Sequence, residues 1–321
     1  MAINTATGRV EAADLGRTLM HEHLVVGMPG WQSDTRVPAP DFRNMVAACV
    51  DRVQELQAGG FTSMVDPCPN DLGRDPELIG EVGARTGFNI IFATGLYNEH
   101  HGGSTYWSTV FRTDPDGEKR LRDLFIDEIE NGVRGTGLKP GILKVGTAHP
   151  PFSDYEKGVF RAAAMASLET GTPITTHTEG VLGDEQLALL TSEGVPANRV
   201  IVGHCCGSED HDYHMRIVNG GGFVGIDRFG IERPLSDESR IASILKLKEK
   251  GALGSLIVSH DSVCCWLGAM LPAAIAGHMR EFANPMRFSR VIAPMLKAAG
   301  VTAAEIEMLL VDNPRRYFTP A

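Results

Sequence analysis

Short apolar runs alternate with longer segments of helical periodicity along nearly the whole chain. Runs at 18–23, 63–67, 89–96, 141–145, 173–177, 200–205, 223–227 and 255–261 read as eight buried strands. Between them, the 3.6-residue pattern predicts helices at 42–58, 76–86, 118–132, 155–169, 184–193, 211–219 and 237–250, with two more at 285–299 and 302–317. Gly59 and Gly171 stand where the first and fourth of these helices should end. Thr302 with Glu305 three residues on forms a capping-box signature for the last. Strands that alternate with helices pair in parallel through crossovers, and eight such units predict a closed (β/α)₈ TIM barrel. A doubly wound open sheet is the rival, but no Gly-x-Gly-x-x-Gly follows the first strand. No repeat, low-complexity tract or linker divides the chain, so residues 1–321 are expected to form a single barrel domain.

Composition narrows the function. A hydrophobic fraction of 43% over 321 residues permits a large core. The net charge of −10 argues against nucleic acid or an anionic membrane as the main partner. The start lacks the basic-then-apolar signature of a signal peptide, and no apolar run reaches the ~18 residues of a membrane span. The most apolar stretch, 263–277, is broken by Pro272. Cys49, Cys68, Cys205, Cys206, Cys264 and Cys265 make no Cys-x-x-Cys spacing. They read as reduced, packing cysteines of a cytoplasmic protein.

Lys144 breaks the apolar pattern. It lies within Gly-Ile-Leu-Lys-Val-Gly, a run bound for the core. Burial lowers an ammonium pKa, and a neutral amine can add carbon dioxide to give a carbamate able to bridge two metal ions. His21 and His23 are two apart on the first strand and so face the same side, with Glu22 turned towards the helices. His177, His204 and Asp261 each close an apolar strand. In an α/β barrel the carboxyl ends of the strands form the active-site face, so strands 1, 4, 5, 6 and 8 would aim six ligand-type side chains at one mouth. A dinuclear metal centre follows. Nitrogen and oxygen donors suit Zn²⁺, Co²⁺, Mn²⁺ or Fe²⁺, with zinc as the expected metal.

This ordered set resembles the phosphotriesterase family of the amidohydrolase superfamily. The resemblance runs from Leu19 to Phe318 through Met20-His21-Glu22-His23, Asp66-Pro67 with Gly73-Arg74-Asp75, Ile142-Leu143-Lys144, Thr176-His177-Thr178, Gly203-His204, Ser259-His260-Asp261 and Asp312-Asn313-Pro314-Arg315-Arg316. It implies that His21, His23 and Asp261 hold one metal, that His177 and His204 hold the other, and that carboxylated Lys144 and a hydroxide bridge them. Mononuclear deaminase relatives lack this lysine and carry a catalytic glutamate near the fifth strand, where this chain has Thr178-Glu179 after His177.

Tyr97 and Arg228 are similar to residues of the phosphotriesterase-like lactonases, in which the tyrosine sits beside the lactone ring and the arginine supports the site. Phe229 departs from the tyrosine more usual there. The segment 262–271, with Trp266 and Met270, reads either as a helix packed on the barrel or as an apolar wall for an acyl chain. The implied activity is hydrolysis of lactones, N-acyl-homoserine lactones first (quorum quenching). The bridging hydroxide would attack the carbonyl, Tyr97 would help stabilise the developing oxyanion, and Asp261 would pass the proton to the leaving alkoxide. Organophosphate triesters are the expected side substrates. A phosphotriesterase as main activity, or a metal-binding scaffold without catalysis, are the alternatives. The resemblance also implies a homodimer. His100, His101, His149, His211, His214, His260 and His278 are expected at the surface or behind the ligands, with His260 turned away from Asp261.

Overall fold

The computed structural model describes residues 2–101, 103–269, 277 and 284–320. Eight parallel strands lie side by side in chain order: β1 (Thr18–Leu19), β2 (Ser63–Asp66), β3 (Asn89–Gly95), β4 (Ile142–Lys144), β5 (Ile174–Thr175), β6 (Val200–Val202), β7 (Phe223–Ile226) and β8 (Leu256–Val258). The circle is completed by the continuations of the first and last strands. Glu22–Val26 pairs in parallel with Ser262–Trp266, Ser262 lying opposite Glu22 and Trp266 opposite Val26. Just before this pairing, the Asp261 N–H donates to the His21 carbonyl at 3.0 Å. The sheet is therefore a closed (β/α)₈ barrel, as the alternation predicts.

The alternation of side chains explains the closure. Leu19, Met64, Ile90, Leu143, Val200 and Leu256 pack outward against the helices. Their neighbours Met20, Val65, Ile91, Ile142, Ile201 and Ile257 pack together in a second cluster with Ile3, Tyr317 and Phe318. Burying each such aliphatic side chain contributes roughly 1.5–3 kcal/mol relative to exposure. This plug leaves only the carboxyl ends of the strands for polar chemistry.

The outer layer consists of α1 (Phe42–Ala58) after β1, α2 (Pro76–Thr86) after β2, α3 (Thr105–Thr113) and α4 (Gly117–Asn131) after β3, α5 (Asp154–Thr170), α6 (Gly183–Ser192), α7 (His211–Asn219) and α8 (Asp237–Glu249). Asp41, Asp75, Ser153, Asp210 and Ser236 cap their helices by accepting first-turn N–H groups.

Several elements differ from expectation, among them the helix predicted at 285–299, which has a wider turn at Phe288–Ile292 before Ala293–Ala298. The antiparallel hairpin Ala2–Thr5/Gly8–Glu11 precedes the barrel. The helix α3 is rich in Thr, Tyr, Trp and Val, which favour strands; it is held by the Ser104 cap and by packing against α4 and α5. The last helix has its capping box, with Thr302 accepting from Glu305, but it runs as Ala303–Glu307, a wider turn at Met308–Asp312, and Asn313–Phe318. Pro314 donates no N–H and its ring crowds the preceding turn, which loosens the helix there. Among the described residues, no helix is long and apolar enough to cross a membrane.

Candidate metal centre

Seven of the eight strands deliver a polar residue to one mouth at, or just beyond, their carboxyl ends. His21 and His23 lie where β1 continues, Tyr97 follows β3, Lys144 ends β4, His177 follows β5, His204 follows β6, Arg228 follows β7 and Asp261 follows β8. All eight line one cavity of about 170 Å³, together with Trp266. The larger cavity, of about 570 Å³, lies at the opposite end beside the N-terminal hairpin and contains none of these groups. Met270 lies outside the described residues.

Close packing at the strand ends is built into the backbone. A Cβ on Gly95 would fall 1.7 Å from the Lys144 carbonyl oxygen, so only glycine lets β3 lie against β4 there. His204 and Asp261 adopt left-handed backbone conformations, with φ of 58° and 53°. Such conformations cost a non-glycine residue of order 1–3 kcal/mol and cluster at functional sites.

The ligand-type side chains converge. Donor atoms of His21, His23 and Asp261 all lie within 4.8 Å of one another. His23 Nε2 is 3.2 Å and His21 Nε2 3.6 Å from Asp261 Oδ1. The His177 and His204 rings are 4.6 Å apart, and those of His21 and His204 4.5 Å. Lys144 is 2% exposed and donates to the Thr176 carbonyl at 3.1 Å. Burial pulls its pKa from 10.5 down to about 8, so a neutral amine is accessible near physiological pH.

Charge in the cavity is arranged around these imidazoles. Burial lowers the pKa of His21 and His204, and brings that of His177 down to about 4, so all three favour the neutral form a metal requires. Burial opposes charge on His23 too, but its hydrogen bonds with Asp261 and Asp66 outweigh it and raise the pKa. A positive charge is thus favoured between those carboxylates. Burial would raise the pKa of Asp261, yet His204, His23, His21 and Arg228 hold it well below the usual carboxylate range. Arg228 Nε donates to Asp261 Oδ2 at 3.0 Å, and its Nη1 to Glu179 Oε2 at 3.3 Å. At the centre, buried His21 Nδ1 and Asp227 Oδ2 have no polar partner beyond each other, 3.3 Å apart. Neutral imidazoles, an ionised carboxylate and a depressed lysine suit two divalent cations, and the donor set fits them.

Several supporting residues were not anticipated. Asp227 Oδ1 accepts from the His204 N–H at 2.9 Å and lies 3.0 Å from His204 Nδ1, while its Oδ2 is 3.3 Å from His21 Nδ1. Asp66 lies 3.2 Å from His23 Nδ1 and accepts from the Leu24 N–H at 3.0 Å. These carboxylates orient the imidazoles from behind. Glu179 Oε1 is 2.9 Å from His177 Nε2.

Tyr97 is positioned at a distance. Arg74 is bidentate to buried Glu128 at 2.8 and 2.9 Å, Asn70 accepts from the Gly95 N–H, and neighbouring Asp71 accepts from the Tyr97 N–H at 2.9 Å. The Tyr97 hydroxyl lies 3.4 Å from His177 Nε2, and burial raises its pKa.

Glu22 does turn from the cavity, but it is buried as the hub between the first and last strands. It accepts from Ser259 Oγ at 2.7 Å, His260 Nδ1 at 2.6 Å, the N–H groups of His260 and Ser262, and Ser262 Oγ. His260 points away from Asp261 and accepts from the Phe288 N–H at 2.9 Å; it and His214 are fully buried rather than at the surface. His278 lies outside the described residues. Beside the polar centre, Val26, Cys68 and Leu72 form an apolar wall with Met28, Tyr97, Val263 and Trp266. Residues 262–266 of this wall are strand, not helix.

Fold and site together define a barrel hydrolase with histidine and aspartate clusters able to hold metal ions at its strand ends. The Phosphotriesterase family profile matches residues 1–318. The chain is 35% identical over 318 residues to a phosphotriesterase homology protein of Mycobacterium tuberculosis, covering 98% of this chain and 97% of the relative. It is 31% identical to an aryldialkylphosphatase of Saccharolobus solfataricus, covering 97% of each. The crystal structure of a mutant PTE-like lactonase from Deinococcus radiodurans superposes with a TM-score of 0.94 at 34% identity, over 99% of this chain and 100% of that one. The chain belongs to the Phosphotriesterase family. It is an ester-hydrolysing enzyme of a metal-dependent family that acts on small molecules.

Proposed function

We propose that the enzyme is a lactonase whose preferred substrates are N-acyl-homoserine lactones, with weaker action on organophosphate triesters. The observation that carries this reading is the apolar wall of Val26, Leu72, Val263 and Trp266 set directly against the polar strand-end cluster. A small polar ring beside the cluster and an acyl chain along the wall match that division. The likeness to the PTE-like lactonase supports it.

In this reading His21, His23 and Asp261 would hold one divalent cation, His177 and His204 would hold the other, and Lys144 would serve both as a carbamate. Zinc is the metal we assign, on the nitrogen and oxygen donors. Two such ions, when bound, would supply an acidified water and Lewis-acid polarisation of an ester carbonyl. The protein's own groups do the rest. Asp261, kept ionised by its surroundings, takes up a proton and returns it to the departing alkoxide, so that the ring opens to a hydroxy acid. Arg228 fixes the Asp261 carboxylate by its 3.0 Å hydrogen bond. Tyr97, kept protonated by burial, donates its hydroxyl to the oxygen on which charge develops. Trp266 excludes water beside the acyl chain.

The test is a side-by-side kinetic assay of acyl-homoserine lactones, other γ- and δ-lactones, and a paraoxon-like triester. We expect the highest kcat/KM on the acyl-homoserine lactones. Inert lactones with rapid triester turnover would instead support the second reading, a phosphotriesterase, which the likeness to the aryldialkylphosphatase favours.

A further inference from the structure

Cys49, Cys264 and Cys265 come from opposite ends of the chain yet meet on one flank of the barrel. Cys49 is fully buried on α1, and Cys264 and Cys265 lie on the continuation of β8 that packs against that helix. Their sulfurs all lie within 4.8 Å of one another. The Cys49 and Cys265 sulfurs are 4.0 Å apart, and all three thiols are free. From these positions we infer that the three cysteines form a second cation site, built for a soft, thiophilic ion and separate from the strand-end centre.

Geometry and chemistry agree. Thiolates about 2.3 Å from an ion stand about 3.8 Å apart in a tetrahedral site and about 4.0 Å apart in a trigonal one. The Cys49–Cys265 separation of 4.0 Å matches these values, and the Cys264 sulfur lies within 4.8 Å of both. An all-sulfur donor set selects ions such as Cu⁺, Cd²⁺ or Zn²⁺ over harder cations, in contrast to the nitrogen and oxygen donors of the barrel mouth. Arg52, one turn beyond Cys49, acts electrostatically on both Cys264 and Cys265 in favour of their thiolates. Each coordinated thiol gives its proton to solvent as the ion binds. An entry path exists: a cleft of about 320 Å³, bordered by Asp41, Met45 and Trp266, opens onto Cys265. Trp266 also borders the strand-end cavity, so an ion here would tether the proposed acyl-chain wall to α1.

The probe is Cd²⁺, added anaerobically to protein whose strand-end centre has first been loaded with Mn²⁺, a harder ion that an all-thiolate site does not hold. The expected result is an ultraviolet thiolate-to-cadmium charge-transfer band that saturates at one equivalent, which nitrogen and oxygen ligands do not produce. In the Cys49→Ser/Cys265→Ser variant the affinity read from that band should fall at least tenfold, while Cys206→Ala retains it. In the unmutated protein, Cd²⁺ should protect the partly exposed Cys264 and Cys265 together from alkylation, a readout that does not depend on the variants folding. No band, a band unchanged in the double variant, or alkylation of Cys264 and Cys265 unaffected by Cd²⁺ would overturn the assignment. So would a Cys49–Cys265 disulfide in freshly isolated protein, seen as two fewer reactive thiols in denaturant than the six in the chain.

Discussion

Replacing Lys144 by methionine should make the metal-free protein more stable. The side chain is 2% exposed, and burial lowers its pKa from 10.5 to about 8. At about 1.4 kcal/mol for each tenfold change in proton affinity, carrying the ammonium in the folded state costs about 3 kcal/mol. Methionine is of similar length and carries no proton. It also forfeits the hydrogen bond to the Thr176 carbonyl, worth about 1 kcal/mol. The net gain is then about 2 kcal/mol at pH 7. The sign follows from linkage. Below pH 8 both folded and unfolded chains are protonated at Lys144, so the full cost is present. Between about 8 and 10.5 the folded amine has released its proton while the unfolded one has not, and the cost fades. The advantage of Lys144→Met should therefore vanish, or turn slightly negative, near pH 10.5. Urea unfolding of chelated protein in carbon dioxide-free buffer at both pH values measures this. Equal stability at pH 7, or an advantage that is the same at both pH values, would refute the reasoning. Zn²⁺ with bicarbonate should then stabilise the unmutated protein more than the variant, which keeps the histidines and Asp261 but not Lys144.

Glu22→Gln should destabilise the protein by about 3–5 kcal/mol, read from the urea midpoint, because it removes the charge from a buried hub that ties together Ser259, His260 and Ser262. Although burial opposes it, His260 and the serine hydroxyls hold the Glu22 pKa below its ordinary value, so this contribution should be lost as pH falls into the acid range. Trp266→Ala should raise KM for long-chain acyl lactones roughly tenfold, about 1.4 kcal/mol of lost apolar contact, and leave short-chain lactones nearly unchanged; an equal effect on both would detach Trp266 from chain binding. Chelation should abolish lactone turnover and zinc should restore it, and full turnover by protein shown metal-free by elemental analysis would remove the centre from the reaction.

Much of the site was legible because each candidate ligand interrupts or closes an apolar run. Lys144, His177, His204 and Asp261 stand where packing alone would place an aliphatic side chain, and the barrel topology brings them to one cavity. Asp66 and Asp227 carry the same mark, an acid at the end of a buried strand. Their partners are set by neighbours across the barrel: Asp227 meets His21, which is over two hundred residues away in the chain. No local pattern encodes that meeting. Strand alternation correctly turned Glu22 from the cavity, but alternation says nothing of the donors that meet it there. The helix α3 escaped because its composition favours a strand and only Ser104 and its neighbours decide otherwise. The approach of Cys49 to Cys265 is equally invisible in the sequence, since it depends on α1 packing against the strand 262–266 as the barrel closes.

The pairing of Glu22–Val26 with Ser262–Trp266 makes the seam of the barrel coincide with its chemistry. Two imidazoles come from the first turn of the cylinder and their carboxylate partner from the last. A nascent chain on the ribosome consequently lacks the His21–His23–Asp261 trio until residue 261 has emerged and the cylinder has shut. If the trio holds an ion as proposed, capture of that ion would report that the chain has been made at least as far as residue 261, and a truncated product ending before the seam could not imitate the finished enzyme.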